Sequence, residues 1–138
     1  MDNTMKDTIK RNILVYNNQT KIAEKMIPLC TGEGLSVLVA ANVEGLYEIL
    51  DTSELHLMLI DVELNDKGWD KGIEMIANLR RKSSIPLIVV SAQSAETAKI
   101  MALEAGADDY ITKPFSPNEL VARVKSHLNR FESLTKGP

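Results

Sequence analysis

The sequence predicts an α/β domain in which five short parallel strands alternate with five helices. Three observations carry that expectation. Five apolar runs of strand length recur along the chain, the third and fourth are apolar at nearly every position, and the intervals between runs have helical length and period. Continuous rather than alternating apolar character marks strands covered by helices on both faces, as in a parallel sheet. Strand and helix repeated five times imply right-handed crossovers and a doubly wound domain.

The elements follow in order. Ile13-Leu-Val-Tyr16 forms the first strand, and the first helix, Thr20 to Thr31, places Ile22, Met26 and Leu29 along its length. Pro28 removes one helix hydrogen bond there and is expected to kink or shorten that helix. The second strand is Leu35 to Ala40, and the helix Asn42 to Asp51 carries Val43, Leu46, Ile49 and Leu50. Leu55 to Ile60 is the third strand, and its helix, Ile73 to Arg81, presents Ile73, Ile76 and Leu79. Ile85 to Val90 is the fourth, followed by a helix from Ser94 to Ala105 rich in Ala, Glu, Lys and Met. The short run Tyr110-Ile111 is the fifth. The last helix opens at Ser116-Pro-Asn-Glu119, with serine as N-cap, proline at the first helical position and glutamate at the third. It continues with Leu120, Val121, Val124 and Leu128 on one side.

A chain of 138 residues suits one domain, which we place at residues 12–131 between a polar N-terminal tail, 1–11, and a C-terminal tail, 132–138. Apolar residues make up 44% of the chain but aromatics only 4%, so Ile, Leu, Val, Met and Ala must fill the core, Met58, Met75 and Met101 among them. A net charge of −3 without a basic stripe argues against a nucleic-acid-binding surface. Cys30, the single cysteine, excludes an internal disulfide, suits a reducing cytoplasm and is expected to pack as a small apolar side chain. No apolar run approaches the ~20 residues of a membrane span, and Met1 to Arg11 lacks the apolar stretch of a signal peptide, so a cytoplasmic location without a membrane partner is expected. His56 and His127 have no His or Cys at metal spacing and read as structural.

Ligands of an open α/β sheet bind beyond the carboxyl ends of its strands, near the point where strand order reverses. Those ends are Asn17-Asn18 after the first strand, Asp61 after the third, Ser91 after the fourth and Lys113 after the fifth. Each could merely cap its strand, but a carboxylate, a hydroxyl, an ammonium and two amides converging on one edge point to phosphoryl chemistry. Asp61 is a nucleophile able to form an acyl phosphate, Lys113 would neutralise phosphoryl oxygens, and Ser91 could donate to one of them. Such transfer rests on positioning and charge neutralisation, usually with Mg²⁺.

From Ile13 to about Arg130 the chain resembles response-regulator receiver domains, and it is most similar to the OmpR/PhoB subfamily, whose members carry a C-terminal winged-helix DNA-binding domain. The stretch Gly106-Ala-Asp-Asp-Tyr-Ile-Thr-Lys-Pro-Phe-Ser-Pro-Asn-Glu-Leu-Val-Ala-Arg123 carries that resemblance. It implies a flavodoxin-like sheet of order 2-1-3-4-5. By position it makes Asp61 the phosphoacceptor, Ser91 and Tyr110 the switch pair, Lys113 the phosphate-pairing lysine and the Lys113–Pro114 bond cis. It also implies a sensor histidine kinase as partner, and no enzymatic turnover beyond phosphorylation from a phosphohistidine donor and slow autodephosphorylation. The subfamily dimerises through its fourth helix, fifth strand and fifth helix. The matching charges are Lys99 with Glu119, Asp109 with Arg123 and Glu104 with Lys125. All three pairs keep opposite signs, which favours a two-fold homodimer.

Two departures bear on the site. The family's acidic, Mg²⁺-binding pair is here Asn17 and Asn18, and amide oxygens are poor substitutes for carboxylates toward a hard cation. The metal set is then Asn17, Asn18, Asp61 and Glu63, with Mg²⁺ weak or absent. After Asp61, Asn65 replaces the usual proline, and Asp66-Lys-Gly-Trp-Asp-Lys-Gly72 lengthens the loop. Glu63, Asp66 or Asp70 would be the residues to restore acidity there, and Trp69 reads as a loop-packing or exposed residue. Two variants therefore stay open: a degenerate, phosphate-independent dimerisation module, which the Asn pair favours, and a working phosphoacceptor, which Asp61, Ser91, Tyr110 and Lys113 keep alive. An aspartyl-phosphate phosphatase fits less well, because its Asp-x-Asp pattern belongs on an early strand and the chain has Asp61-Val-Glu63 on the third. A flavin site fits worse still, since Asn17-Asn-Gln-Thr-Lys21 lacks the small residues of a phosphate cradle. The chain ends soon after the fifth helix, as a piece of a longer protein or a stand-alone receiver would.

Overall fold

The structure is a computed structural model that describes residues 11–17, 22–30, 32–64 and 71–136, with the side chains of Asn17, Thr135 and Lys136 excluded. Strands and helices alternate as β1 (Arg11–Asn17), α1 (Ile22–Cys30), β2 (Leu35–Ala40), α2 (Val43–Thr52), β3 (Leu57–Asp61), α3 (Lys71–Lys82), β4 (Leu87–Ser91), α4 (Glu96–Ala105), β5 (Asp109–Thr112) and α5 (Pro117–Lys136). The five strands form one parallel sheet of order β2-β1-β3-β4-β5, as expected. Strand order reverses at β1, which lies between β2 and β3.

Successive side chains of a strand point to opposite faces, so each apolar run feeds two cores at once. Ile13 and Val15 of β1, Leu57 and Leu59 of β3 and Ile88 and Val90 of β4 pack with Met26 of α1 and Leu120, Val124 and Leu128 of α5. Their neighbours Leu14, Met58, Ile60, Leu87 and Val89 pack on the other face with Leu46 of α2, Ile76 and Leu79 of α3 and Ala98 and Ala102 of α4. Burial on both faces is the physical meaning of the unbroken apolar runs, and each large side chain so buried contributes roughly 1.5–3 kcal/mol of transfer free energy. Cys30 is buried in the first of these cores. Of the methionines expected inside, Met58 is fully buried and Met75 packs half-buried against the second core, whereas Met101 is half-buried and stands outside both clusters.

Local chemistry sets several element ends. Strand β3 starts at Leu57, two residues later than the apolar run, because the His56 ring takes over the pairing: the backbone N–H of Asn12 donates to His56 Nδ1 at 2.9 Å. Strand β4 likewise starts at Leu87, after Pro86, which has no N–H to give. Helix α2 is capped by Asn42, whose Oδ1 accepts from Gly45 N at 2.7 Å. Ser116 caps α5 in the same way, accepting from Glu119 N at 3.3 Å, with Pro117 opening the helix. That helix continues through Lys136, into the stretch expected as the C-terminal tail. Pro28 lies inside α1, close to its end at Cys30, and Thr20 and Thr31 lie outside the described residues.

One clamp closes the sheet end opposite the strand C-termini. Arg80, in the last turn of α3, donates through Nε to Gly106 O at 3.0 Å, through Nη1 to Ser83 O at 3.1 Å and Ile85 O at 2.8 Å, and through Nη2 to Asp108 Oδ2 at 2.7 Å. Gly106 ends α4 with φ of 130°, a conformation that disfavours a side chain. Among the described residues no helix is long and apolar enough to cross a membrane.

Candidate functional site

Parallel register brings the strand ends together. Asn17 of β1 stands opposite Asp61 of β3, Asp61 opposite Val90 of β4, and Ser91 of β4 opposite Thr112 of β5. Asp61 is the last residue of its strand and only 2% exposed. Lys113 follows β5 directly, and its Nζ reaches Asp61 Oδ1 at 2.7 Å. The reach is guided by the backbone, because Lys113 N donates to Ser91 O at 2.9 Å and Val62 N to Val90 O at 3.1 Å. Both residues of the ion pair are thereby tied to β4, the strand between them. The Lys113–Pro114 peptide is cis. A carboxylate so removed from water needs such a partner, since an unpaired buried charge is costly.

Ser91 is fully buried, and its Oγ accepts from the backbone N–H of Gln93 at 3.1 Å. Tyr110, half-buried on β5, donates its phenolic hydroxyl to Gln93 O at 2.6 Å. Asp61, Ser91, Tyr110 and Lys113 therefore gather at one sheet edge, joined through the β4–α4 connection. Glu63 is exposed, two residues beyond Asp61. Asn18, Asn65, Asp66, Trp69 and Asp70 lie outside the described residues, as does the side chain of Asn17.

The donors that could hold a divalent cation are few. Asp61 is the one buried carboxylate among the described residues, and Lys113 already neutralises it. Among the described residues no group of three or more His, Cys, Asp or Glu is placed to hold a metal ion.

Four of the six charges expected to pair across a dimer, Asp109, Glu119, Arg123 and Lys125, have partners within the chain. Arg123 bonds Asp109 at 3.2 Å and Glu119 at 3.1 Å, and Lys125 reaches Glu33 at 2.7 Å. Hydrogen bonds that Arg123 donates to Glu119, and then to Asp109, push its guanidinium above its ordinary value. Lys99 is half-buried and Glu104 exposed on α4. His127 Nε2 lies 3.1 Å from Asp109 Oδ2, so one carboxylate serves two side chains of α5. The spacing of Arg123 and His127, four residues apart on a helix, was the available sequence signal for that cluster. Gln93, Arg80 and Glu33 had none, because each finds its partners through the fold.

Comparison with known proteins agrees with this geometry. The response regulator receiver domain family matches residues 13–125. The KDP operon transcriptional regulatory protein KdpE of Escherichia coli (strain K12), an OmpR/PhoB-type regulator, is 39% identical over 125 residues. That match covers 90% of this chain and 54% of KdpE, so the chain spans about half the length of this relative. A receiver domain protein (CheY-like) from Methanospirillum hungatei JF-1 superposes with a TM-score of 0.77 at 26% identity, over 90% of this chain and 98% of that one. The receiver domain of the TMAO respiratory system response regulator TorR gives 0.75 at 35% identity, over 87% and 98%. With the sheet order and these likenesses in agreement, the chain belongs to the response regulator receiver domain family.

Proposed function

We propose that this receiver domain controls transcription as part of a larger regulator, switching by homodimerisation through the α4–β5–α5 face, and that its Mg²⁺ site is degenerate. The observation that carries the reading is the Asp61–Lys113 ion pair of 2.7 Å, a phosphoacceptor position already neutralised by its own lysine. With Asn17 and Asn18 where acids would stand, a cation at this edge would meet amide dipoles instead of full charges. When bound, Mg²⁺ neutralises charge on a transferring phosphoryl group; without it, phosphorylation is slow and dimerisation runs weakly coupled to phosphate or free of it. The transcriptional role is drawn from KdpE, whose name states it, and any DNA contact belongs to another domain. A sensor histidine kinase is the partner suited to Asp61, and the cytoplasm the suited compartment.

A second reading is favoured by Asp61, Ser91, Tyr110 and Lys113 standing together: a working phosphoacceptor, with acidity supplied by Glu63, Asp66 or Asp70. One experiment separates the two. Beryllofluoride with Mg²⁺, a stand-in for the acyl phosphate, is added while amide shifts are followed by NMR and mass by light scattering. Under the first reading no shift appears at Asp61, Ser91 or Tyr110, and a dimer is present throughout. Shifts at those residues with a monomer-to-dimer change establish the second. A monomer that ignores the reagent rejects both.

A further inference from the structure

We infer that Gln93 is a positioning residue that ties the N-terminus of α4 to the phosphoacceptor pocket. The observation is that three hydrogen-bonding groups of the chain converge on this one residue. Its N–H donates to Ser91 Oγ at 3.1 Å, its carbonyl accepts the Tyr110 hydroxyl at 2.6 Å, and its side-chain Oε1 accepts Ala95 N at 2.8 Å. Ala95 in turn accepts the first bond of α4, from Lys99 N at 3.2 Å.

The side chain matters because α4 has no cap of its own. Ala95 stands at the N-cap position with no side-chain cap hydrogen bond, whereas α2 and α5 have Asn42 and Ser116 there. The N–H groups at a helix start need partners from outside the helix, and a side-chain oxygen two residues upstream meets one of them. Gln93 does not replace an N-cap side chain but meets a different N–H, that of the N-cap residue Ala95 itself, and does so while bonded to the last residue of β4 and to β5. A hydroxyl at Ser91 that turns toward an acceptor on Asp61 weakens its hold on Gln93 N, and the change reaches Ala95 through the glutamine side chain. Without that side chain, Ser91 and α4 have only the backbone between them.

The inference gives the pocket described above a route to the proposed dimer face, and so rests on that reading for its purpose. Its test does not. Amide hydrogen exchange is measured by NMR on the whole chain, without any phosphoryl mimic. Gln93→Leu is expected to lower protection of the Ala95 amide roughly three- to tenfold, the range of one lost hydrogen bond, and Gln93→Glu, which keeps the acceptor, to restore it. Ser91→Ala is expected to lower Ala95 protection severalfold in the wild-type background and to change it little in Gln93→Leu. An equal effect of Ser91→Ala in both backgrounds, or none in either, overturns the coupling. Should Gln93→Leu fail to fold, judged by exchange at Leu59 and Val89, the same comparison is made with Gln93→Met. A pocket that ignores beryllofluoride leaves this result untouched, so failure of the one reading is distinguishable from failure of the other.

Discussion

Lys113 Nζ lies 2.7 Å from Asp61 Oδ1 although the two residues leave strands separated by β4. Lys113 must therefore cross over the end of the intervening strand, and its own N–H bond to Ser91 O fixes the starting point of that crossing. The pair is asymmetric: the lysine side chain is 23% exposed and the aspartate 4%.

That asymmetry predicts unequal costs. Lys113→Met removes the ion partner of a buried carboxylate and is expected to lower stability by about 3 kcal/mol. Asp61→Asn is expected to cost less, since the lysine chain can extend its ammonium toward water. Urea denaturation of both single variants and the double variant measures the coupling, expected at about 1–3 kcal/mol. Additive losses would mean that neither charge holds the other.

Gly106 and Arg80 form a second dependent pair. A Cβ at Gly106 would come within 2.7 Å of Arg80 Cγ and 2.8 Å of Arg80 Cβ, at a φ of 130°. Gly106→Ala combines backbone strain with overpacking and is expected to cost about 3 kcal/mol. Arg80→Lys keeps the charge but loses the planar fork that reaches Gly106, Ser83, Ile85 and Asp108, and about 2 kcal/mol is expected to go with it. Thermal unfolding of either variant checks the estimate, and an unchanged Tm would refute the clamp.

Burial pushes the Cys30 thiol above its ordinary value of 9.0, with Lys125 opposing the rise and Glu33 adding to it. The folded state thus holds the thiol proton more firmly than the unfolded chain does. Its contribution is fully present below the pH at which the unfolded thiol ionises, and is lost as pH rises from there through the folded value. Urea midpoints measured from pH 7 to 10 should fall less steeply in Cys30→Ala than in the wild type above pH 9. Parallel curves would remove the thiol from the account.

Restoring the acids tests the proposed metal defect. Asn17 pairs with Asp61 in the register of β1 and β3, and Asn17→Asp with Asn18→Asp adds two negative charges at that end of the sheet. Without Mg²⁺ this double variant is expected to melt below the wild type, and with Mg²⁺ to regain the difference. Phosphorylation by acetyl phosphate should then quicken ~10²-fold or more, on the scale of one recovered oxyanion interaction. A variant whose Tm does not respond to Mg²⁺ would count against the amide pair as the cause.

Much of this architecture is legible because burial on both faces leaves apolar residues no alternative. Only the end of such a strand escapes that rule, which is why Asp61, Ser91 and Lys113 stand out as candidate site residues before any coordinates. The starts of β3 and β4 are less visible. A histidine ring replaces a carbonyl at Asn12, and Pro86 withholds a donor, yet both sit in runs that look like strand. Gln93 and Arg80 are silent in the sequence, since their partners lie across turns or in other elements and follow no period. Charge complementarity also has a blind spot. Asp109 and Arg123 fit each other equally well within one chain or between two, and here they meet within one.

The interior place of β1, with a neighbour on each side, has a consequence for how the chain comes to be folded. Ile13, Leu14 and Val15 are wholly buried, and their strand needs neighbours on both sides, β2 and β3. A chain growing from its N-terminus makes β1 before any other strand, but its second neighbour exists only after Leu57 has left the ribosome. Until then one edge of β1 lacks its partner and its apolar side chains lack their cover. Of the strands with two neighbours, β1 is thus the one that waits longest for its second, and its open edge stays available to other chains until that distant pairing closes.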